Sequence, residues 1–175
     1  ALASIAGVLY LGLPFAHFVA LRNTVGLMQP ISTSLGFFDA GCALVWVALI
    51  GTWASDTFAY FAGSFLGKHK LCPSISPGKT REGFIGGLIG TTASVAGLGV
   101  FFGFDVAVMA LLGFCICLVA TVGDLVESVM KRYAGIKDSG NLIPGHGGIM
   151  DRFDSMVVVA PLTELLLLVT PLIVK

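Results

Sequence analysis

Charge is scarce in this sequence. Only 11% of its 175 residues are Asp, Glu, Lys or Arg, whereas an ordinary soluble domain carries about 25%. Hydrophobic residues make up 56% of the chain, and apolar stretches of close to 20 residues recur, each long enough to cross a bilayer. The composition therefore excludes an ordinary soluble domain and indicates a polytopic membrane protein.

The sequence also lacks two common site signatures. Its four cysteines show neither metal-ligand nor disulfide spacing, and we interpret them as packing residues. The segment SISPGKTREG contains Gly78-Lys79-Thr80, which resembles the end of a nucleotide-binding P-loop, but the position of the motif's first glycine is occupied by Pro73. No β-branched strand leads into the segment. A P-loop is therefore excluded, and this loop must be judged from its own residues.

Five apolar segments are long enough to form membrane-spanning helices. They cover residues 1–21, 37–65, 83–102, 106–130 and 153–174. The sequence predicts an all-α polytopic fold with no other secondary structure required, because helices satisfy their own backbone groups in lipid. We expect residues 1–175 to form a single transmembrane catalytic domain, the C-terminal part of a longer chain.

Basic residues are concentrated in two glycine-containing connections. These hold eight of the ten basic residues, namely Lys68, Lys70, Lys79, Arg81, Lys131, Arg132, Lys137 and Arg152. The positive-inside tendency places both connections in the cytoplasm, and alternating spans put them on the same side. Glycines at small-xxx-small spacing in the third span, such as Gly83 and Gly87, indicate close helix packing, within the chain or across a homodimer.

Acidic side chains are expected at the same side of the membrane. Two groups have i, i+3, i+4 spacing, which puts each group on one helix face, and a further acid lies late in the second span. The positions are Asp124, Glu127 and Ser128, then Asp151, Asp154 and Ser155, and finally Asp56.

These acids need a partner, because an unpaired carboxylate at the centre of a bilayer costs about 3 kcal/mol. Mg²⁺ is one candidate, since it is usually held by one or two carboxylates while phosphates and waters complete its shell. The alternative is a set of juxtamembrane ion pairs with Lys131, Arg132, Lys137 and Arg152. The glycine-rich loop IPGHGGIMDR favours the first interpretation, because bare backbone N–H groups bind anions.

Together these features describe a polyphosphate site. The segment SPGKTREG contributes to the same interpretation. Pro77 and Gly78 predict a turn, after which Lys79 and Arg81 can reach a second phosphate group. The alternative for this loop is an orientation signal in the lipid headgroup layer.

The stretch SVMKRYAGIKDSGNLIPGHGGIMDRFD, residues 128–154, resembles the signature of the phosphatidate cytidylyltransferases, also called CDP-diacylglycerol synthases. The segments SDTFAYFAGSFLGKHK and SPGKTREGFIGG resemble the family's preceding blocks, so the resemblance covers about residues 51–155. Family members are usually longer, with additional N-terminal spans.

The resemblance implies that CTP and phosphatidic acid react to give CDP-diacylglycerol and pyrophosphate. It implies that Asp124 and Asp151 hold metals, with Mg²⁺ essential and a second cation such as K⁺ beside it. The other implied residues are catalytic Lys131, Arg132, Lys137, His146 and Arg152, phosphate-binding Ser76, Lys79, Thr80, Arg81, Ser128, Gly147 and Gly148, and supporting Asp56, Glu127, Asp138 and Asp154.

No general base is needed, because a phosphate monoester oxygen is already anionic near pH 7. His146 is therefore expected to bind or orient phosphate.

The partners implied are CTP, phosphatidic acid and membrane lipids, with no nucleic acid. We expect an integral protein of the bacterial inner membrane whose active site faces the cytoplasm.

Two other functions use similar residues. A CTP-dependent lipid alcohol kinase would also need metal, triphosphate and a membrane substrate, and a cation transporter would line its pathway with acids. A transporter favours carboxylates at the membrane midplane, whereas these acids cluster beside glycine-rich loops.

Outside the signature, His17 is interpreted as structural or interfacial, and Glu164 as a helix–helix hydrogen-bonding residue.

Overall fold

The fold is an arrangement of helices joined in two places by short β-hairpins. The structure, a computed structural model, describes residues 2–23, 30–136, 139–140, 148 and 150–169. Its elements in chain order are α1 (Leu2–Asn23), β1 (Pro30–Thr33), β2 (Gly36–Asp39), α2 (Ala40–Leu66), β3 (Lys70–Cys72), β4 (Ser76–Thr80), α3 (Arg81–Phe102), α4 (Val106–Tyr133), α5 (Met150–Phe153) and α6 (Met156–Val169).

Three helices in the described part of the chain are long and apolar enough to cross a membrane. They are α2, α3 and α4, and residues Met156–Leu167 form a shorter apolar helix. The helical membrane fold is therefore confirmed, and three of the five expected spans coincide with helices of sufficient length and apolar composition. That the segments containing α1 and α6 also cross the membrane stays a prediction.

The fifth expected span begins differently from the prediction. The sequence predicts one continuous helix from residue 153, but α5 ends at Phe153 and α6 begins at Met156, with a turn at Asp154 and Ser155. The Asp154 side chain accepts a hydrogen bond from the Ser155 N–H at 2.6 Å. Asp151, Asp154 and Ser155 therefore do not lie on the face of one continuous helix, because Asp151 is in α5 and the other two residues form the turn before α6.

The two hairpins are additions to the predicted all-helical pattern. Strands β1 and β2 pair antiparallel before α2, and β3 pairs antiparallel with β4 between α2 and α3, with Lys70 opposite Thr80. Backbone groups in a connection must find partners, and in these two connections they find them across the hairpin. The β3–β4 hairpin lies at the end of α2 where α3 begins, and this places its basic residues beside the C-terminal half of α4.

The contact between α2 and α3 includes small residues that pack closely. A Cβ added at Gly83 would lie 2.8 Å from the Ala59 carbonyl oxygen, and one added at Gly87 would lie 3.2 Å from the Ala59 Cβ. At Gly86 an added Cβ would overlap the Cβ of Ala62. The glycine spacing in α3 therefore serves close packing within the chain, the first of the two alternatives drawn from the sequence.

This contact gives a prediction for stability. Gly86→Ala is expected to destabilise the protein by about 1–3 kcal/mol, because its new methyl group has no room against Ala62. Gly97→Ala is the matched control on the same helix, since nothing lies within 4 Å of its added Cβ. The control is expected to be neutral or up to about 1 kcal/mol stabilising. The measurement is the thermal unfolding midpoint in detergent, and equal midpoints for the two variants would contradict the packing argument.

Helices α1 and α6 are joined by a partly buried polar contact. The His17 Nδ1 atom lies 2.5 Å from the Glu164 Oε2 atom. The interpretation of Glu164 as a helix–helix hydrogen-bonding residue is thus confirmed, with His17 of the same chain as its partner. Such a pair lowers the cost of placing a carboxylate between helices.

Candidate active site

A cavity of about 570 Å³ opens between α2, the β3–β4 hairpin, α3 and α4. Its walls combine charged groups with backbone at glycines. The lining residues that carry polar or aromatic side chains are Ser55, Asp56, Tyr60, Ser64, Lys70, Lys79, Thr80, Phe84, Thr121 and Asp124. The cavity therefore lies where apolar helices meet the basic hairpin, which suits a ligand with both a charged and an apolar part.

Lys79 and Asp124 form an ion pair across this cavity. Lys79 comes from β4 and Asp124 from α4, and their side chains are 25% and 28% exposed. The Ser128 hydroxyl, one turn further along α4, donates to the Asp124 Oδ1 atom at 3.3 Å. The structure thus brings the SPGKTREG segment to the acidic face predicted for α4.

Asp151 is the centre of a second set of contacts. Its carboxylate accepts hydrogen bonds from the Lys131 Nζ atom at 2.9 Å, the Gly148 N–H at 2.7 Å, and the backbone N–H and hydroxyl of Ser139, each at 2.9 Å. Burial alone would raise the pKa of Asp151, but the hydrogen bonds from Lys131, Gly148 and Ser139 hold that pKa well below its usual range. Asp151 is therefore an anion at neutral pH.

Lys131 also faces a buried acid. Its Nζ atom lies 3.5 Å from the Glu127 Oε1 atom, and the Glu127 side chain is only 1% exposed. Within the described residues neither Glu127 carboxylate oxygen has a hydrogen-bond partner. Buried polar groups are normally hydrogen-bonded, so these oxygens are available to a further cation or donor.

The metal prediction has to be compared with these ion pairs. In the described part of the chain no group of three or more His, Cys, Asp or Glu is arranged to hold a metal ion. Asp151 contacts Lys131, as the ion-pair alternative drawn from the sequence predicts, and Asp124 contacts Lys79, which was not among the partners that this alternative named. The donors nevertheless have the chemistry that Mg²⁺ prefers, carboxylate oxygens, and a bound cation would offset the charge of Glu127, whose oxygens have no hydrogen-bond donor among the described residues. A shared cation stays a prediction.

The remaining predicted residues take several positions. Asp56 lines the cavity, Ser76 lies in β4 opposite Cys72, and Arg81 and Arg132 are exposed. The Gly148 N–H, predicted to bind phosphate, donates to Asp151 in this structure. The predictions for Lys137, Asp138, His146, Gly147 and the Arg152 side chain lie outside the described residues.

Sequence reasoning missed part of the cavity wall on α2. Asp56, Tyr60 and Ser64 line the cavity together, although only Asp56 was predicted. Their i, i+4, i+8 spacing puts them on one helix face, and this polar periodicity in an otherwise apolar helix was the available signal. Ser139 was also missed, and its position between Asp138 and Gly140 offers no comparable pattern.

Known proteins provide an independent comparison. A family model described as the cytidylyltransferase family matches residues 1–170. A phosphatidate cytidylyltransferase of Staphylococcus saprophyticus is 48% identical over 150 residues, covering 81% of this chain and 58% of the relative. The Bacillus subtilis protein of the same name is 38% identical over 161 residues, covering 91% of this chain and 55% of the relative. The chain thus spans little more than half the length of the curated relatives it matches.

Proposed function

The chain belongs to the cytidylyltransferase family, and we propose that the protein transfers a cytidylyl group from CTP to phosphatidic acid, giving CDP-diacylglycerol and pyrophosphate. The observation that carries the proposal is the Lys79–Asp124 pair in a cavity at the ends of apolar helices. A water-soluble triphosphate and a membrane lipid can meet only at such a boundary. The names of the relatives support the same reaction.

The chemistry is an in-line displacement at phosphorus. A phosphate oxygen of phosphatidic acid attacks the α-phosphorus of CTP, the new P–O bond forms, and the bond to the bridging oxygen breaks to release pyrophosphate. The attacking oxygen is already anionic near neutral pH, so no side chain has to remove a proton. The site must instead bring together two anions and compensate the charge that develops on the leaving group.

Lysines from two elements supply that compensation. Lys79 reaches into the cavity from the hairpin, and Lys131 lies between Glu127 and Asp151. When phosphate oxygens arrive, each lysine can exchange a carboxylate partner for a phosphate one, because its stem is flexible and its ammonium group is a point charge. The exchange would release Asp124 and Asp151 for other ligands.

Those carboxylates are the residues that would hold Mg²⁺, with Glu127 one turn from Asp124 on α4. A bound Mg²⁺ would neutralise phosphate charge and orient the triphosphate. A second cation such as K⁺ is part of the same proposal. The site residues and both cations rest on the family resemblance and on the carboxylate chemistry described above.

The proposed location is the bacterial inner membrane. The protein is an integral membrane protein by its apolar helices, and its bacterial relatives support that membrane. The positive-inside tendency places the basic hairpin, and therefore the cavity, on the cytoplasmic side. This is also the side that supplies CTP.

The proposal is tested with purified protein, phosphatidic acid in mixed micelles, and CTP labelled with ³²P at the α-phosphate. We expect label to enter the lipid when Mg²⁺ is present, and no incorporation when a chelator removes the metal. Label that stays in CDP would identify a lipid alcohol kinase. If CTP is not consumed and the protein instead carries cations into proteoliposomes, the transporter interpretation replaces the enzyme.

A further inference from the structure

Thr80 lies at the junction of β4 and α3, next to the lysine that reaches Asp124. It is the N-cap of α3, with extended backbone angles of φ −122° and ψ 156°, and its hydroxyl accepts a hydrogen bond from the Gly83 N–H at 3.1 Å. The residue is only 9% exposed. Its hydroxyl therefore already has a partner within the fold, which is the usual role of an N-cap threonine.

Three glycines surround the Thr80 side chain. A Cβ added at Gly63 or at Gly83 would lie 2.9 Å from the Thr80 Oγ1 atom, and one added at Gly67 would lie 2.9 Å from its Cγ2 methyl group. Gly63 is in the last turns of α2, and Gly67 is the C-cap of that helix. Both branches of Thr80 thus fit into a recess formed by the end of α2 and the start of α3.

Two further contacts fix the chain around Thr80. The Arg81 N–H donates to the His69 carbonyl oxygen at 2.9 Å, and the His69 Nδ1 atom lies 2.6 Å from the Glu82 Oε1 atom. Adjacent side chains on a strand point to opposite sides. Since Thr80 is directed into the recess between α2 and α3, Lys79 is directed away from it, towards Asp124.

We propose that Thr80 is a positioning residue, which anchors β4 between α2 and α3 and thereby sets the place of the Lys79 ammonium group in the cavity. This role rests on the proposed function, and it differs from the direct phosphate contact implied by the family resemblance. Thr80 also lines the cavity, but its hydroxyl oxygen accepts the Gly83 N–H, so the role assigned to it here is exerted through the position of Lys79.

The test compares Thr80→Val with Thr80→Ser in the labelled-CTP assay. Valine keeps the shape but loses the oxygen that receives the Gly83 N–H, so kcat/KM is expected to fall about 10- to 100-fold, as displaced catalytic groups commonly cause. Serine keeps the oxygen, and serine and threonine are both favoured as N-cap residues. The kcat/KM of Thr80→Ser should therefore remain within about threefold of that of the parent protein. Equal losses in both variants would overturn the proposal.

Thr92→Val is the matched control. Thr92 lies within α3, the helix that Thr80 caps, and donates its hydroxyl to the Leu88 carbonyl oxygen, one turn earlier. Like Thr80→Val, the control replaces a threonine hydroxyl with a methyl group, but at a position outside the cavity. We expect its activity to equal that of the parent protein. A loss as large as that of Thr80→Val would assign the effect to the helix in general and overturn the positioning role.

A double-mutant cycle with Lys79→Met separates positioning from plain structural support. If Thr80 acts through Lys79, then Thr80→Val costs little once Lys79 is gone, and the two effects are non-additive. Additive losses, or full activity of Lys79→Met, would overturn the proposal. If Thr80→Val does not fold, Gly63→Ala replaces it in the cycle, because its methyl group would press on the Thr80 hydroxyl. An inactive parent protein would instead refute the proposed function.

Discussion

Asp124→Asn is expected to lower the rate of CDP-diacylglycerol formation by at least about 10³-fold while the protein stays folded and membrane-inserted. The change keeps the size of the side chain and removes its charge. It leaves Lys79 without its ionic partner, and it takes away the carboxylate proposed to hold Mg²⁺. The lost ion pair and the lost carboxylate both impair the proposed binding of the substrate phosphates. The effect on turnover should therefore be far larger than the effect on stability.

Asp105→Asn is the control for this variant. Asp105 caps the other end of α4 by accepting hydrogen bonds from the N–H groups of Ala107 and Val108, at 2.9 Å and 3.0 Å, and Asn caps helices about as well as Asp. The control should keep full turnover. The thermal unfolding midpoint of both variants is measured in the same detergent, with and without Mg²⁺. An Asp124→Asn protein that works at a near-normal rate would refute the assigned role.

Lys131→Met is expected to have the second large effect, on stability as well as on turnover. Lys131 lies 2.9 Å from Asp151 and 3.5 Å from the fully buried Glu127. Removing the cation leaves two carboxylates without their counter-charge, and breaking a buried pair in this way typically costs about 3–5 kcal/mol. Turnover should fall by at least about 10²-fold, because one cation is lost from the proposed phosphate site.

The two effects can be separated by adding Glu127→Gln to Lys131→Met. The second change removes the buried charge that the first has exposed, so most of the lost thermal stability should return. Turnover should not return, because no cation has been restored. If turnover recovers together with the unfolding midpoint, Lys131 has only a structural role and the catalytic assignment is wrong.

The helices were predictable because bilayer thickness sets their length and apolar composition marks their position. The predicted segment 106–130, for example, lies within α4, Val106–Tyr133. The hairpins were not predictable in this way. Strands β3 and β4 are only three and five residues long, and β4 contains proline and glycine, so no sequence period marks their pairing. The same is true of the break between α5 and α6.

The contacts in the candidate site were likewise predictable only in part. The spacing along α4 was enough to place Asp124 and Ser128 on one face, and the structure has a hydrogen bond between them. The partner of Asp124 could not be chosen from sequence, because several lysines lie in the two basic connections. The structure selects Lys79, 45 positions away, through the contact of the hairpin with α2 and α3.

The glycine contacts between α2 and α3 also have a mechanical consequence. Where backbone lies against backbone, no layer of flexible side chains is present to absorb a change in helix separation. These two helices therefore form a stiff frame on one side of the cavity. We expect that α2 and α3 keep their spacing when a ligand enters the cavity between them and α4.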